Sequence, residues 1–488
     1  MWLLDRNWKY RVVYALFTLP ALGGFLFGYA ITGASGALGP KSIADGHPQI
    51  KLEYGFGDFE DETFTSFNLL GALLGSIVAF LLGDRLGRKG IMICGGFAIS
   101  LGSAVVFLTP SPGSQVVSPF VMLVLGQVIY GIGIGLAMHS APLYIAEISP
   151  PEIRGFLVAM KEELIVLGIL FGYVVGAIIQ DVDQGWRMIF YVSCALGLVM
   201  GFGFMFAPET PRLLILNKIN ARSNTNVDES LIDQFSLPRK ILTALRPDSS
   251  DNEIDQEISE VCESLKAVSE KPGFSELCRG GTIRALEIGI FLVIFQQITG
   301  QPSVLAYTPQ VFRASGSGKS ALTASIIVGV AKFCATGVSV LLLDKFGRKP
   351  LLIAGIVGML SSLVVLCISF FFSSREIITV ISLMLYVSSY QVGFGPITWL
   401  LQSEIFPLRT RSRAQSLAVL VNFLCNFAIG WSFVSLQNAI TLQGSFLLYA
   451  VFAVASLVFV IVRVPETKGK TLEDIQSMFE GAGSSSLK

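Results

Sequence analysis

Long apolar stretches recur along this chain and are separated by shorter polar segments. Each stretch is about as long as the roughly 20 residues that an α-helix needs to cross the hydrocarbon core of a membrane. Most of them contain Gly or Pro, which helices in membranes tolerate and use for close packing. The pattern predicts an all-α membrane protein whose twelve spanning helices lie near residues 12–38, 64–82, 90–109, 119–143, 156–179, 187–207, 282–311, 321–343, 351–372, 377–401, 413–436 and 443–463.

Composition agrees with this interpretation. Charged residues make up 14% of the 488 residues and hydrophobic residues 52%, and the mean hydropathy is +0.66. Soluble proteins carry about a quarter charged residues, so the surplus apolar surface requires a lipid bilayer as its solvent. The formal net charge is zero. No basic field is therefore available for nucleic acid, and we expect no nucleic-acid partner.

The residues that usually bind metals or perform catalysis are few and scattered. The seven cysteines form no CxxC pair, and His47 and His139 belong to no cluster. Residues 314–320 resemble a phosphate-binding loop, but Arg313 occupies the first required glycine position. We therefore expect no disulfide framework, no metal, no cofactor and no enzymatic activity.

The distribution of Lys and Arg predicts the orientation. Short loops rich in Lys and Arg face the cytoplasm, and with twelve spans such loops all fall on one side, whereas the opposite loops are acidic or nearly uncharged, as at Asp58–Glu62. Both termini and the polar stretch 208–280 are thus predicted to be cytoplasmic. Within that stretch, 215–222 and 253–268 are expected to form short surface helices, and 481–488 a disordered tail. The basic residues are Arg6, Lys9, Arg11, Arg85, Arg88, Lys89, Arg154, Lys345, Arg348, Lys349, Arg409, Arg411, Arg413, Arg463, Lys468 and Lys470.

Three unrelated motifs occur twice at nearly one spacing. Residues 83–89 recur at 343–349, residues 146–150 at 403–407, and Pro-Glu-Thr at 208–210 recurs at 465–467, with offsets of 260, 257 and 257. The common order and spacing indicate a duplicated chain, and repeated halves are the usual build of secondary transporters. We expect an N-terminal six-helix half at 1–207, a linker at 208–280, a C-terminal six-helix half at 281–463 and a tail at 464–488.

These motifs resemble the sugar porter branch of the major facilitator superfamily. The likeness includes Pro142–Glu147, Gly185-Trp186-Arg187, Pro208–Arg212 and Gln296-Gln297 with Gly300, and it extends over nearly the whole chain. Residues 136–139 and 295–303 are most similar to plant xylose-symporter-like and vacuolar glucose transporters. Facilitative glucose transporters share the broader pattern. The resemblance implies the major facilitator fold and transport of a small sugar by alternating access, in which Gly395-Pro396 provides a bend. We expect a monomer.

Buried amides mark the candidate sugar site. Gln296 and Gln297 lie in the apolar seventh span and Asn422 in the eleventh, where unpartnered amides are costly. Sugar hydroxyls need groups that both donate and accept, together with an aromatic plane. The resemblance places these three amides on sugar hydroxyls and Trp399 beneath the ring. The remaining expected site positions are Phe27, Glu162, Ile165, Ile169, Tyr307, Tyr390, Gln391 and Phe423.

The site departs from the family pattern at several positions. Pro302 and Ala306 replace an Asn contact and a gating Tyr, while Glu162 and Lys332 replace the usual Gln and Asn. These changes predict a more charged pocket than that of a standard hexose site.

The positions that couple transport to protons are also altered. Proton-coupled relatives carry an Asp on the first span and pair it with an Arg on the fourth, but this chain has Ala30 and Gln127 there. Facilitated uniport is therefore the leading prediction. A proton symporter is the alternative, with Glu162 or Glu163 titrating beside Lys161 and Lys332, so protons remain a candidate partner besides the sugar and the bilayer.

Charged residues at the cytoplasmic helix ends of the two halves resemble family latches of the outward-facing state. Their loss is expected to shift the population toward the inward-facing state, with Glu404 and Arg411 as the test positions. The alternative is that they reflect topology alone. The eight are Arg88, Glu147, Arg154 and Glu209 in the first half and Arg348, Glu404, Arg411 and Glu466 in the second.

Two other functions remain alternatives to monosaccharide transport. A membrane sugar sensor would bind without cycling, but such proteins usually have long signalling tails and the segment after Pro465 is short. A polyol or inositol carrier is the other option. The plasma membrane is the expected location, with the vacuolar or plastid membrane as alternatives.

Overall fold

The computed structural model describes residues 10–39, 49–112, 118–222, 235–246, 249–267, 280–316, 321–370, 375–407, 410–470, 474–475 and 478–479. The regular elements in these ranges are helices. Twelve stretches are long and apolar enough to cross a membrane, and they coincide with the predicted spans. The all-α fold with twelve transmembrane helices is therefore confirmed.

Among the described helices, one carries two spans, two spans are each divided between two helices, and each of the other spans lies on a helix of its own. In chain order they are α1 (Arg11–Leu38), α2 (Ile50–Tyr54), α3 (Asp58–Phe107), α4 (Pro119–Ile148), α5 (Pro151–Ile179), α6 (Trp186–Phe206), α7 (Pro211–Arg222), α8 (Ser236–Leu245), α9 (Asp251–Ala267), α10 (Gly280–Ile298), α11 (Gln301–Ser315), α12 (Ala321–Phe346), α13 (Arg348–Ser369), α14 (Arg375–Val392), α15 (Phe394–Ile405), α16 (Arg411–Trp431) and α17 (Phe433–Arg463).

The duplicated glycine motif makes the same backbone turn twice. Gly87 has φ 77° where α3 passes from the second span to the third, and Gly347 has φ 89° just before α13. This left-handed conformation favours glycine because a side chain would crowd the backbone. We call the end of the bundle that carries these two glycines the motif end, and the end that carries Asp58 the opposite end.

The seventh and tenth spans are broken near their middles. Gly300, with φ 98°, separates α10 from α11. The tenth span breaks at Gly393, between α14 and α15. The sequence predicts a bend at Gly395-Pro396, and the break lies slightly earlier because Pro396 has no N–H to donate to the carbonyl of Val392.

Close packing between helices depends on glycine in the first half. A methyl group on Gly28 would lie 1.9 Å from the carbonyl oxygen of Ile165, and one on Gly131 would lie 1.9 Å from that of Asn68. α1 therefore touches α5, and the second span touches α4, backbone to backbone. Small residues at such interfaces are the usual means of tight association in lipid.

The described parts of the polar stretch after α6 form three helices that pack at the motif end. Ile215, Leu242 and Ile254 belong to a small core shared by α7, α8 and α9. Arg246 is 6% exposed and donates to the carbonyls of Ile148 and Ser149 at the end of α4. The predicted helices 215–222 and 253–268 correspond to α7 and α9, while α8 was not predicted. The predicted disordered tail, 481–488, lies outside the described residues, as do Arg6, Lys9, His47 and Arg409.

Candidate functional site

The two neighbouring glutamines of the seventh span are buried beside the break in the tenth span. Gln296 is 2% exposed and Gln297 is 3% exposed. The Gln296 side-chain amide donates to the carbonyl of Phe394 at 2.9 Å, and its oxygen accepts from the amide of Gln297 at 3.3 Å. The Gln297 side-chain oxygen finds no hydrogen-bond partner among the described residues. This buried acceptor is free to receive a hydroxyl from a ligand.

Amides and aromatic rings of the eleventh span lie at the meeting of the halves. Asn422 and Asn426 are buried on α16. The ring of Phe423 meets the ring of Phe27 of α1 edge to face, with centroids 5.9 Å apart. Trp399 on α15 is only half-buried. A polar ligand with apolar faces suits such a mixture of amides and rings.

A group of charged residues occupies the side of the site between α5 and α12. Lys332 is 2% exposed, donates to the side-chain oxygen of Gln391 at 2.7 Å, and lies 4.9 Å from the ring centre of Tyr390. Glu162 pairs with Lys161 at 2.9 Å and acts electrostatically on Lys332 across the interface between the halves. The lysine holds the Gln391 oxygen, so the amide N–H groups of Gln391 remain as donors.

The remaining predicted site residues lie in two places, one in the core of the second half and one nearer the opposite end. Ile165 and Ile169 of α5 are buried in the core of the second half, as is Tyr390. Tyr307 is fully buried farther along α11, where its ring packs on Phe433 at 5.0 Å. The role of Tyr307 as a sugar contact stays a prediction.

The two altered coupling positions are packed inside the first half. Ala30 is 8% exposed and Gln127 is 1% exposed. Ala30 lines a narrow pocket with Phe27 and Asn68. Among the described residues, the Gln127 amide nitrogen and the Asn68 side-chain oxygen have no hydrogen-bond partner. Asn68 was not predicted from the sequence as a neighbour of Ala30, because a single Asn in an apolar span belongs to no recognisable motif.

Charged residues at the motif end make the same contacts in both halves. Arg88 pairs with Glu147 at 3.5 Å, and Arg348 pairs with Glu404 at 2.8 Å. These four residues are the arginines and glutamates of the duplicated motifs. Each of these two pairs therefore joins two helices of a single half.

The other four predicted latch residues repeat this symmetry. Glu209 accepts from the backbone N–H of Lys89, and Glu466 accepts from that of Lys349. The guanidinium of Arg154 donates to the carbonyl of Ser149, and that of Arg411 donates to the carbonyl of Phe406. The duplication is thus visible in hydrogen bonds as well as in sequence.

Hydrogen bonds between the halves lie toward the opposite end. Tyr173 of α5 donates to the carbonyl of Leu305 at 2.7 Å. Asn438 of α17 donates to Asp58 of α3 at 2.9 Å. The ring of Phe67 meets the rings of Phe427 and Trp431, with centroids 5.7 and 6.2 Å apart. The two halves are therefore in contact between the opposite end and the buried amides of the candidate site.

Known proteins resemble the chain over nearly its whole length. A family model described as "Sugar (and other) transporter" matches residues 16–479. "D-xylose-proton symporter-like 2" of Arabidopsis thaliana is 41% identical, over 96% of this chain and 92% of the relative. "Probable polyol transporter 4" of the same plant is 31% identical, over 98% of this chain and 86% of the relative. A solved inward open structure of the xylose transporter XylE from E. coli gives a TM-score of 0.77 at 27% identity, covering 96% of this chain and 99% of that one.

Proposed function

The chain belongs to the sugar porter family of the major facilitator superfamily, and on that premise we propose that it carries a monosaccharide, a hexose or a pentose, by alternating access. The observation that carries the proposal is the buried, unpartnered oxygen of Gln297 beside the break in the tenth span. We infer that it faces the first half, because the binding site of a transporter built from two halves usually lies between them. A sugar hydroxyl would satisfy this acceptor.

Sugar binding to two matched variants tests this site. Gln402 on α15 is also a buried glutamine of the second half, and its amide donates to the carbonyl of Gly289. We expect Gln297→Leu to weaken binding of D-xylose or D-glucose by about tenfold or more, because the sugar loses a buried partner. Gln402→Leu should lower thermal stability and keep the affinity. Equal affinity in wild type and Gln297→Leu, measured by calorimetric titration, would contradict the proposed site.

The orientation follows from charge. With the motif end in the cytoplasm, the basic loops, both termini and α7–α9 lie on the inner side, as expected for short loops rich in Lys and Arg. We infer that this conformation is then inward-facing, because the contacts between the halves lie at the opposite end. The proposed location is the plasma membrane, with the vacuolar or plastid membrane as alternatives. Labelling of single cysteines with an impermeant reagent on intact cells tests the orientation.

The eight charged residues of the motif end are proposed to hold the other conformation. In an inward-facing state they pair within their halves, and closure of this end would bring the two sets together. Several coupled pairs would bias the equilibrium between the two states. Glu404→Gln and Arg411→Ala should then enlarge the inward-facing population, and state-specific labelling that is identical to wild type would contradict the latch.

Facilitated uniport is the proposed energetic mode. Ala30 and Gln127 carry no ionisable group, and both are packed in the core of the first half. Without a titrating pair at these positions, sugar movement needs no proton there. The sugar gradient alone would then drive transport.

Proton symport is a second candidate that a separate observation favours. Glu162 lies beside Lys161 and acts on Lys332 at the sugar site, and a relative is named a proton symporter-like protein. Protonation of a carboxylate in such a group would change the charge that the sugar meets. A pH-sensitive dye inside proteoliposomes separates the two modes. Sugar-driven acidification that vanishes in Glu162→Gln would reject uniport, and sugar entry without acidification would reject symport.

A further inference from the structure

A buried carboxylate of the first half caps a helix of the second half at the opposite end. Glu62 is 2% exposed and accepts from both the backbone N–H of Ser435, at 2.5 Å, and its hydroxyl, at 2.6 Å. Ser435 lies in the first turn of α17, whose N-cap residue is Ser432. Backbone N–H groups in the first turn have no acceptor within their own helix, and the helix dipole favours negative charge there.

A cation of the second half caps a helix of the first half in the reverse sense. Arg313 lies in the last turn of α11, and its guanidinium donates to the carbonyl of Gly39 at 2.7 Å. Gly39 is the C-cap residue of α1. Carbonyls at this end of a helix need donors, and the dipole favours positive charge. The first half thus supplies a negative charge to the N-terminal end of α17, and the second half supplies a positive charge to the C-terminal end of α1.

Neighbouring contacts fix the alignment of α3, which carries Glu62, against α17. Asp58 lies four residues before Glu62 on α3 and accepts from Asn438, which lies three residues after Ser435 on α17. One face of α3 therefore meets one face of α17 in two successive contacts. Lys51 pairs with Asp61 and lies 3.9 Å from Asp58. The neighbouring carboxylates Asp58 and Asp61 are thus both close to a lysine of their own half.

We propose that Glu62 and Arg313 are gating residues that form a reciprocal capping clamp and hold the opposite end closed. Opening this end separates Glu62 from Ser435 and Arg313 from Gly39, and it leaves both helix ends without their caps. The clamp therefore stabilises the conformation in which the sugar site faces the motif end. This inference rests on the alternating-access mechanism proposed above.

The distance between the halves at the opposite end tests the clamp. Spin labels are attached at Phe59→Cys on α3 and Ile440→Cys on α17, both exposed positions, in a background without the native cysteines. Pulsed spin-resonance measurements in lipid nanodiscs then give the populations of short and long distances. We expect Glu62→Gln and Arg313→Ala each to raise the ratio of open to closed molecules by about tenfold or more, since each removes a charged hydrogen bond.

Glu60→Gln is the matched control, because Glu60 lies on the same turn of α3 and, among the described residues, accepts a hydrogen bond from Gly57 of its own half. Its distances should equal those of wild type. Ser435→Ala removes only the hydroxyl and should give a smaller shift in the same direction, which keeps the test decisive if Glu62→Gln fails to fold. Wild-type distances in Ser435→Ala and Arg313→Ala, or an equal shift in Glu60→Gln, would overturn the clamp. Calorimetric titration of the same samples with D-xylose and D-glucose judges the proposed cargo separately, because the distances do not depend on which sugar binds.

Discussion

The two ends of the helical bundle use charge differently. At the motif end, Arg88 and Arg348 bind Glu147 and Glu404 within their own halves. At the opposite end, Glu62 and Arg313 bind helix ends of the other half. The first arrangement stiffens each half and is duplicated with the chain, whereas the second decides how the halves meet. In this conformation, charge that repeats with the sequence therefore binds within each half, and charge that crosses between the halves holds the opposite end together.

The largest effect that the comparison predicts is on folding, at the duplicated glycines. A methyl group on Gly87 would lie 2.2 Å from a Glu209 oxygen, which must move away from the N–H of Lys89. With the cost of a left-handed side chain, we expect Gly87→Ala to lower stability by about 3 kcal/mol. Gly347→Ala should cost less, since the nearest atom of Glu466 is 3.0 Å away.

Gly337→Ala is the control for this pair, because a methyl group there meets open space within a helix. Thermal unfolding in detergent, followed by tryptophan fluorescence, gives the order of the three variants. Equal melting temperatures for Gly87→Ala and Gly337→Ala would show that the motif turn does not restrain the half.

The spans and the paired glutamines could be predicted from sequence, because apolar length and a buried amide are local signals. The repeat was equally visible, since three motifs share nearly one offset. The bend at Gly393 was placed slightly late because the effect of Pro396 falls on a residue four positions earlier. The contact between Glu62 and Ser435 was not predicted, because it joins residues 373 apart and depends on how the halves dock.

An intermediate effect is expected from the aromatic contacts of the opposite end. Phe67→Ala removes ring contacts across the halves, each worth about 1 kcal/mol, so the open population should rise several-fold. Phe97→Ala removes a similar contact, with Phe202 at 5.2 Å, inside the first half. The spin-label distances should shift in Phe67→Ala alone, and a matching shift in Phe97→Ala would contradict the division between the two ends.

A smaller effect is expected at the arginine–glutamate pairs of the motif end. A double-mutant cycle on Arg348 and Glu404 should give a coupling energy of about 1 kcal/mol, because the pair is partly buried. The pair of Arg88 and Glu147 is longer, 3.5 Å against 2.8 Å, and should give less. Chemical unfolding of the single and double variants measures both energies. A coupling of zero in both cycles would remove their role in stiffening the halves.

The smallest effect concerns pH, and it distinguishes two equivalent residues of the repeat. Burial raises the pKa of Glu209 above its usual value despite hydrogen bonds from Thr210 and Lys89. Burial also acts on Glu466, but four backbone N–H groups outweigh it and lower the pKa of that carboxyl. As the pH falls through the carboxyl range, stability from ionised Glu466 is lost, whereas protonation of Glu209 adds stability.

Melting temperatures between pH 6.5 and pH 4 test these opposite signs. Glu466→Gln should make the protein less sensitive to acid, and Glu209→Gln should make it more sensitive. Melting temperatures that depend on pH in the same way in both variants would contradict the opposite pKa shifts of Glu209 and Glu466.

The most direct test of sugar transport between two rocking halves is counterflow in proteoliposomes. Vesicles loaded with unlabelled D-xylose or D-glucose receive a trace of labelled sugar outside, without any pH gradient. We predict transient accumulation of label with the wild-type protein and much less with Gln297→Leu, whose binding oxygen is absent. Failure of both sugars to exchange, with binding retained, would contradict transport and indicate a sensor, and exchange of a polyol alone would reassign the cargo.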